Sequence, residues 1–272
     1  PTSTMDASTG QPANSMVVET EATQQTASPA AAGRSTETPS VPTSTPPSWC
    51  LKRIKHDLRA VMKDPLPGIF VHVDEHDITV AHCLIIGPFD TPYEGGFFYF
   101  VARFPHTYPN DPPQVKFHTT GNGRVRFNPN LYQNGKVCLS ILGTWEGPSW
   151  TPSQNLGSVL ISIQSLMCKT PYHNEPGFEV ERAPGDAARY NEVVRHETLR
   201  VAVCDMLEGK VWLPEPLTLA MRSTFDTMGD VYRELIASHR HMDGRQFRDP
   251  FRFNHGTFHF ERLGQRLEAL LA

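Results

Sequence analysis

Several signatures that usually betray a function are missing from these 272 residues. No apolar run approaches the roughly 18 residues that a membrane-spanning helix needs, so no membrane partner is expected. The formal net charge is −4, from 25 Lys and Arg against 29 Asp and Glu, where a nucleic-acid binder usually shows a basic excess. Five cysteines, Cys50, Cys83, Cys138, Cys168 and Cys204, are odd in number and never spaced C-x-x-C. That pattern fits neither a disulfide framework nor the common zinc sites. It suits a reducing compartment, cytosol or nucleus. The histidines are scattered, and no metal is expected. No G-x-S-x-G or G-x-G-x-x-G element occurs, and "GNGR" at 121–124 lacks the ending of a phosphate loop and reads as a turn.

Lysine and aromatic residues are absent from residues 1–47, where Thr, Ser, Pro and Ala fill 31 of the 47 positions and Arg34 is the sole base. Such a stretch buries too little apolar surface to offset its ordering entropy, so a disordered tail is expected there. The chain begins at Pro1 rather than Met, which leaves room for an upstream segment, and it carries no charged-then-apolar leader.

Order is expected from "PPSWCLKRIKHDLRAVMKDP". Leu51, Ile54, Leu58 and Val61 recur at helical spacing, Ser48 is placed to cap the start, and Asp64-Pro65 ends the helix. Its outer face carries Lys52, Arg53, Lys55, Arg59 and Lys63 against Asp57, either an ordinary solvated face or a docking surface for an acidic partner. Strand-like stretches follow at 69–73, 78–86, 96–104 and 114–118, with short turns that predict an antiparallel meander. In "TPSQNLGSVLISIQSLMCK", Thr151 as N-cap, Pro152 at the first position and Gln154 in a capping box predict a helix, apolar almost all round and therefore central. A third helix ends at Gly209. Beyond it, Leu217, Met221, Phe225, Met228, Tyr232 and Leu235 form one apolar stripe, and Phe260, Leu263, Leu267 and Leu270 another. The class is α+β, in three parts: 1–47 tail, 48–209 catalytic domain, 210–272 helical extension.

The chemistry centres on "FNPNLYQNGKVCLSILGTW", Phe127 to Trp145, whose one cysteine is Cys138 and which holds no histidine, aspartate or glutamate to serve as its base. A lone cysteine is usually an inert core thiol. Here the preceding "NPNLYQNGK" is dense in turn formers, the kind of loop that carries function on a rigid scaffold.

"YPNDPPQVKF", then "FNPN", eight residues to Cys138, "CLSIL", Trp150-Thr151-Pro152 and "NEPGF" together resemble the catalytic domain of ubiquitin-conjugating enzymes, from about Ser48 to about Gly209. The Z class of that family shares the Asn-Pro-Asn triplet, the loop "LGTWEGPSW" and a long helical C-terminal extension. The resemblance implies that Cys138 accepts ubiquitin as a thioester from an activating enzyme and passes it to a lysine or a ligase cysteine. A thioester is already activated, so a thiol of pKa ~8.5 needs no strong local base. No bound cofactor is implied, ATP being used upstream by the activating enzyme.

Asn130 matches the asparagine that the family uses near the tetrahedral intermediate, where its amide would donate to an oxyanion; the alternative is that it holds the loop together. Asn128 stands in place of the family's usual histidine, so altered loop packing is expected. Glu175 matches a position near the incoming lysine, where positioning would be its contribution, and Asn174 is a weaker candidate for the same gate. The loops with Asn110-Asp111 and with Thr151, Pro152 and Ser153 correspond to the surface that ligases grip. Asn110 lacks the bulky apolar anchor common there, so specialised ligases are expected. Likeness to the Z class implies the less common of two activating enzymes as donor and a ubiquitin-like modifier as a second cargo; a monomer is expected. A non-catalytic ubiquitin-binding variant and a cysteine hydrolase are the alternatives.

Overall fold

In a computed structural model the described residues are 45–272, so the expected tail lies outside them up to residue 44. Helix α1 (Ser48–Lys63) leads into strands β1 (Ile69–Val73), β2 (Val80–Ile86), β3 (Phe97–Arg103) and β4 (Gln114–Phe117), then α2 (Leu156–Leu166) and α3 (Asp186–Glu197), which runs on as π-helical turns over Thr198–Asp205. The extension adds α4 (Glu215–Thr227), α5 (Gly229–His239), a hairpin of β5 (Gln246–Arg248) and β6 (His255–Thr257), and α6 (Phe260–Leu271).

The four strands form one antiparallel meander in the order β1-β2-β3-β4, with Ile69 opposite Ile85, Val80 opposite Arg103 and Phe100 opposite Phe117. Side chains alternate along a strand, so each central strand feeds two cores. Ala81, Cys83, Ile85, Phe98, Phe100 and Ala102 point to one side and pack with Ile54, Leu58, Leu156, Leu160 and Ile163 of α1 and α2. Leu84, Phe97 and Tyr99 point to the other and pack with Leu217, Met221, Phe225, Tyr232, Phe260 and Leu263 of the extension. Strands buried on both faces read as continuous apolar runs, which is why "VAHCLII" and "FFYFVAR" show no polar alternation.

Some helix boundaries differ from the sequence expectation. Pro47, not Ser48, precedes the first turn of α1, and Ser48 makes no cap bond. Asp57 is not on the solvated face: it is buried and accepts from Arg53 at 2.8 Å and from the Tyr108 hydroxyl. Residues 151–154 form a turn ahead of α2, because Arg53 donates to the carbonyls of Pro152 (2.8 Å) and Gln154 (2.7 Å) and Asn155 is the better cap. The Asn155 side chain accepts from Ser158 N at 3.0 Å in a reciprocal capping box. One edge of α2 is solvated, with Ile161 exposed.

The extension is not wholly helical, and its single predicted stripe over 217–235 is split by a break at Met228. It is tied down by polar contacts as well as apolar ones. Tyr232 donates to the carbonyl of Gly95 at 2.8 Å, where φ of +71° and contact with Met228 and Tyr232 leave room only for glycine. His196 of α3, ringed by Phe247, Phe258 and Phe260, accepts from the backbone N–H of His259 at 3.1 Å.

Candidate active site

The loop from Phe127 to Cys138 is a closed structure because its polar groups bond to one another. Leu131 bridges to Asn128 and Val137, and Tyr132 N–H donates to Lys136 O at 3.0 Å across the Asn134-Gly135 turn. The loop's two ends meet at the candidate nucleophile. Cys138 N–H donates to Asn130 O at 2.9 Å, and the Asn130 side-chain amide donates to Cys138 O, also at 2.9 Å. The Asn130 amide therefore holds the loop together in this state. Its buried Oδ1 atom has no protein partner.

Asn128 is the hub beneath. Its Nδ2 donates to Tyr93 Oη and to Leu166 O, both at 2.8 Å, while its Oδ1 accepts from Asn130 N–H at 3.0 Å and from Asn174 at 3.3 Å. Asn174 also donates to Leu166 O at 3.1 Å, so its amide is spent on this network rather than turned to a substrate.

Glu175 lies beside Arg126 at 3.4 Å, with its carboxylate partly open to solvent. Arg126 is buried and donates to the carbonyls of Asn128 and Pro129. Its guanidinium lies between the rings of Tyr132 and Phe253, 3.8 Å from each centroid. Its backbone pairs reciprocally with the Asn254 side chain: Arg126 N–H donates to Oδ1 at 3.1 Å, and Nδ2 donates to Arg126 O at 2.9 Å. Arg126, Phe253 and Asn254 did not stand out in the sequence. The signals present were the basic residue directly before "FNPN" and the aromatic run "FRDPFRFNHGTF", whose Asp-Pro and Asn-His-Gly turns mark a hairpin.

Burial pushes the Cys138 thiol up, against the opposing pull of Lys136, Arg126 and a hydrogen bond with Tyr132, while Glu175 adds to the rise. Among the described residues, none of the groups that act most on it is a histidine. A nucleophile in this setting is mostly protonated at neutral pH and suits an acyl group that arrives already activated. Among the described residues no cluster of three His, Cys, Asp or Glu is placed to hold a metal.

The residues expected to meet partners divide. Arg53 is committed to Asp57 and to the turn before α2, whereas Lys52, Lys55 and Arg59 point outward from α1. Asn110, Asp111, Thr151, Pro152 and Ser153 are solvent-facing, and Trp150 joins their two loops by donating from Nε1 to Pro109 O at 2.7 Å.

Residues 53–196 match the family model described as Ubiquitin-conjugating enzyme. The chain is 58% identical over 221 residues to the Ubiquitin-conjugating enzyme E2 Z of Danio rerio, covering 81% of this chain and 67% of that one. It is 58% identical over 218 residues to the protein of that name from Homo sapiens, covering 80% and 62%, and 56% identical over 221 residues to that from Xenopus tropicalis, covering 81% and 71%. The chain thus spans 62–71% of the length of these relatives.

Proposed function

The chain belongs to the ubiquitin-conjugating enzyme family, and we propose that its Cys138 carries ubiquitin as a thioester. The thiolate attacks the carbonyl carbon of the ubiquitin C-terminal glycine on an activating enzyme, whose own thiolate leaves as the new C–S bond forms. A lysine amine or a ligase cysteine then attacks that carbonyl and expels the Cys138 thiolate; an attacking amine gives up its proton to solvent. ATP is spent upstream, so the chain needs no cofactor for either step.

The observation that carries this reading is the reciprocal pairing of Asn130 with Cys138, which fixes a cysteine without a base inside a turn-rich loop. With Oδ1 unpartnered, a single donated bond holds the Asn130 amide, which re-aims from Cys138 O to the oxyanion as the tetrahedral intermediate forms. A comparable donor in a protease is worth about 3–4 kcal/mol. Glu175 serves the same step by positioning the incoming amine. Likeness to the Z class makes the less common activating enzyme the first donor to try, with a ubiquitin-like modifier as second cargo.

The test is charging with ubiquitin, ATP and each activating enzyme in turn, read on a non-reducing gel. Wild type should give a reducible adduct, Cys138→Ser a reductant-resistant oxyester, and Cys138→Ala none. Asn130→Ala should charge but discharge to free lysine at least tenfold more slowly, about 1.4 kcal/mol. A reducible adduct on Cys138→Ala would refute the assignment, and rapid hydrolysis of a supplied ubiquitin thioester would favour a hydrolase.

A further inference from the structure

The tip of the β5–β6 hairpin lies far from Cys138 in sequence but shares its surroundings. The tip is built on Asp249, whose buried carboxylate accepts the backbone N–H groups of Phe253 (3.2 Å) and Asn254 (2.6 Å). That turn aims two groups at the catalytic loop: the Asn254 amide on the Arg126 backbone and the Phe253 ring on the Arg126 guanidinium. It aims a third elsewhere. Phe251 stacks on Tyr172 (centroids 5.1 Å apart) and meets Phe178 at 4.9 Å, so it grips both ends of the segment that carries Glu175.

Arg126 is where the three pieces meet. Its guanidinium donates to Asn128 and Pro129 in the catalytic loop, faces Glu175, and is covered by the hairpin. We infer that residues 249–254 are a working part of the active site, and that Arg126, clamped by Asn254 and Phe253, is a positioning residue that sets the Asn-Pro-Asn loop and Glu175 relative to each other for attack by the incoming amine. The inference rests on the transfer reaction proposed above. An extension that only covered the sheet would need no side chain here. This hairpin instead places a buried amide on the backbone, and an aromatic ring on the guanidinium, of one buried arginine, where leaving either partner alone is costly.

The arrangement has an electrostatic consequence that packing alone does not have. The charged and titratable groups that act most on the Cys138 thiol are Lys136, Arg126, Tyr132 and Glu175, and Arg126 lowers its proton affinity. Tyr190 interacts electrostatically with Tyr93, Asp249, Arg126 and Glu175.

The experiment uses the full chain with Arg126→Gln, Arg126→Lys, Asn254→Ala and Phe253→Leu. Two quantities are read: single-turnover discharge of the charged enzyme to free lysine, and the pH midpoint of iodoacetamide alkylation at the Cys138 peptide by mass spectrometry. Arg126→Gln should slow discharge about tenfold, about 1.4 kcal/mol, and move the alkylation midpoint upward. Arg126→Lys should restore the midpoint but not the rate, because a point charge cannot hold two carbonyls and a carboxylate in the guanidinium's fork geometry. Asn254→Ala and Phe253→Leu should slow discharge several-fold. An Arg126→Gln protein with the wild-type midpoint overturns the proposal, as does wild-type discharge in both hairpin variants, which decide the matter if Arg126→Gln does not fold. The alkylation arm needs no ubiquitin. A wild type that never charges, with a midpoint that still moves in Arg126→Gln, would therefore sink the transfer reading and leave the clamp standing.

Discussion

Asn128→Ala should be among the most damaging single substitutions near the site, although Asn128 touches no substrate in the proposed reaction. The side chain makes four hydrogen bonds, and the structure shows which partners survive its loss. Tyr93 Oη keeps its bond to Phe127 O at 2.8 Å, and Leu166 O keeps the one from Asn174 at 3.1 Å. Asn130 N–H keeps nothing, since its bond is to Asn128 Oδ1 at 3.0 Å, and Asn130 is buried. An orphaned buried donor costs about 1–3 kcal/mol and each of the three lost bonds between satisfied groups about 1 kcal/mol, which gives about 4–6 kcal/mol in all. For a chain of this size that is a fall in Tm of roughly 8–24 °C. Asn128→Asp keeps the acceptor for Asn130 N–H but turns a buried carboxylate toward Leu166 O. It should be as unstable as alanine at neutral pH and recover on acidification, because protonation restores a donor. Urea denaturation with calorimetry checks both, and lysine discharge should slow in parallel as Asn130 and Cys138 lose their fixed relation. A Tm loss below about 2 °C for Asn128→Ala, under ~1 kcal/mol, would show that the network is not what holds the loop.

Truncation after Gly209 should give an aggregating protein, because it strips the cover from Leu84, Phe97 and Tyr99 on the outer sheet face. Re-exposing three such side chains costs about 5–9 kcal/mol, comparable with a whole domain's stability; a soluble monomeric fragment with the full-length Tm would contradict this. Alkaline pH should destabilise the protein through Cys83 and Cys204, whose thiols burial pushes up to about 12. Their folded values lie above the unfolded ~8.5, so this stability is complete below pH ~8.5 and is lost as pH rises toward 12, by up to ~1.4 kcal/mol per unit for each thiol. Urea midpoints measured up to pH ~10 should fall less steeply in a Cys83→Ala, Cys204→Ala double variant, and an equal slope would remove the thiols as the cause.

The four strands and three helices of the first 209 residues were legible because each carries its own local signal. Strand runs are bounded by turn formers, and α1 shows a stripe at helical spacing. The start of α2 was misread because two caps competed. Thr151 and Gln154 satisfy the capping pattern, and they do bond, Thr151 N–H to Gln154 Oε1 at 2.9 Å, but within a turn. What moves the helix start to Asn155 is Arg53, about a hundred residues away, which takes the carbonyls of Pro152 and Gln154 for its own donors. The same bonds removed Arg53 from the face on which the sequence placed it.

The site shows the same division more sharply. Cys138, Asn130 and Asn128 were legible because the loop that joins them is local and its turn residues fix the spacing. Arg126 and Asn254 were not, since 128 positions separate them and no periodicity spans such a distance. A partial route to them did exist. The unbroken apolar runs of β2 and β3 demand cover on both faces, α1 and α2 supply one layer, and the stripes at 217–235 and 260–270 are the material for the other. Once the extension is laid across the outer face, the aromatic-rich segment between those stripes must come out at an edge of the sheet. Phe251 and Phe253 then have no core of their own to fill, and the surfaces they meet are the segment bearing Glu175 and the loop bearing Cys138. An arginine beside that loop, with no acidic neighbour in sequence, is the group such rings and an amide can hold, and here they do.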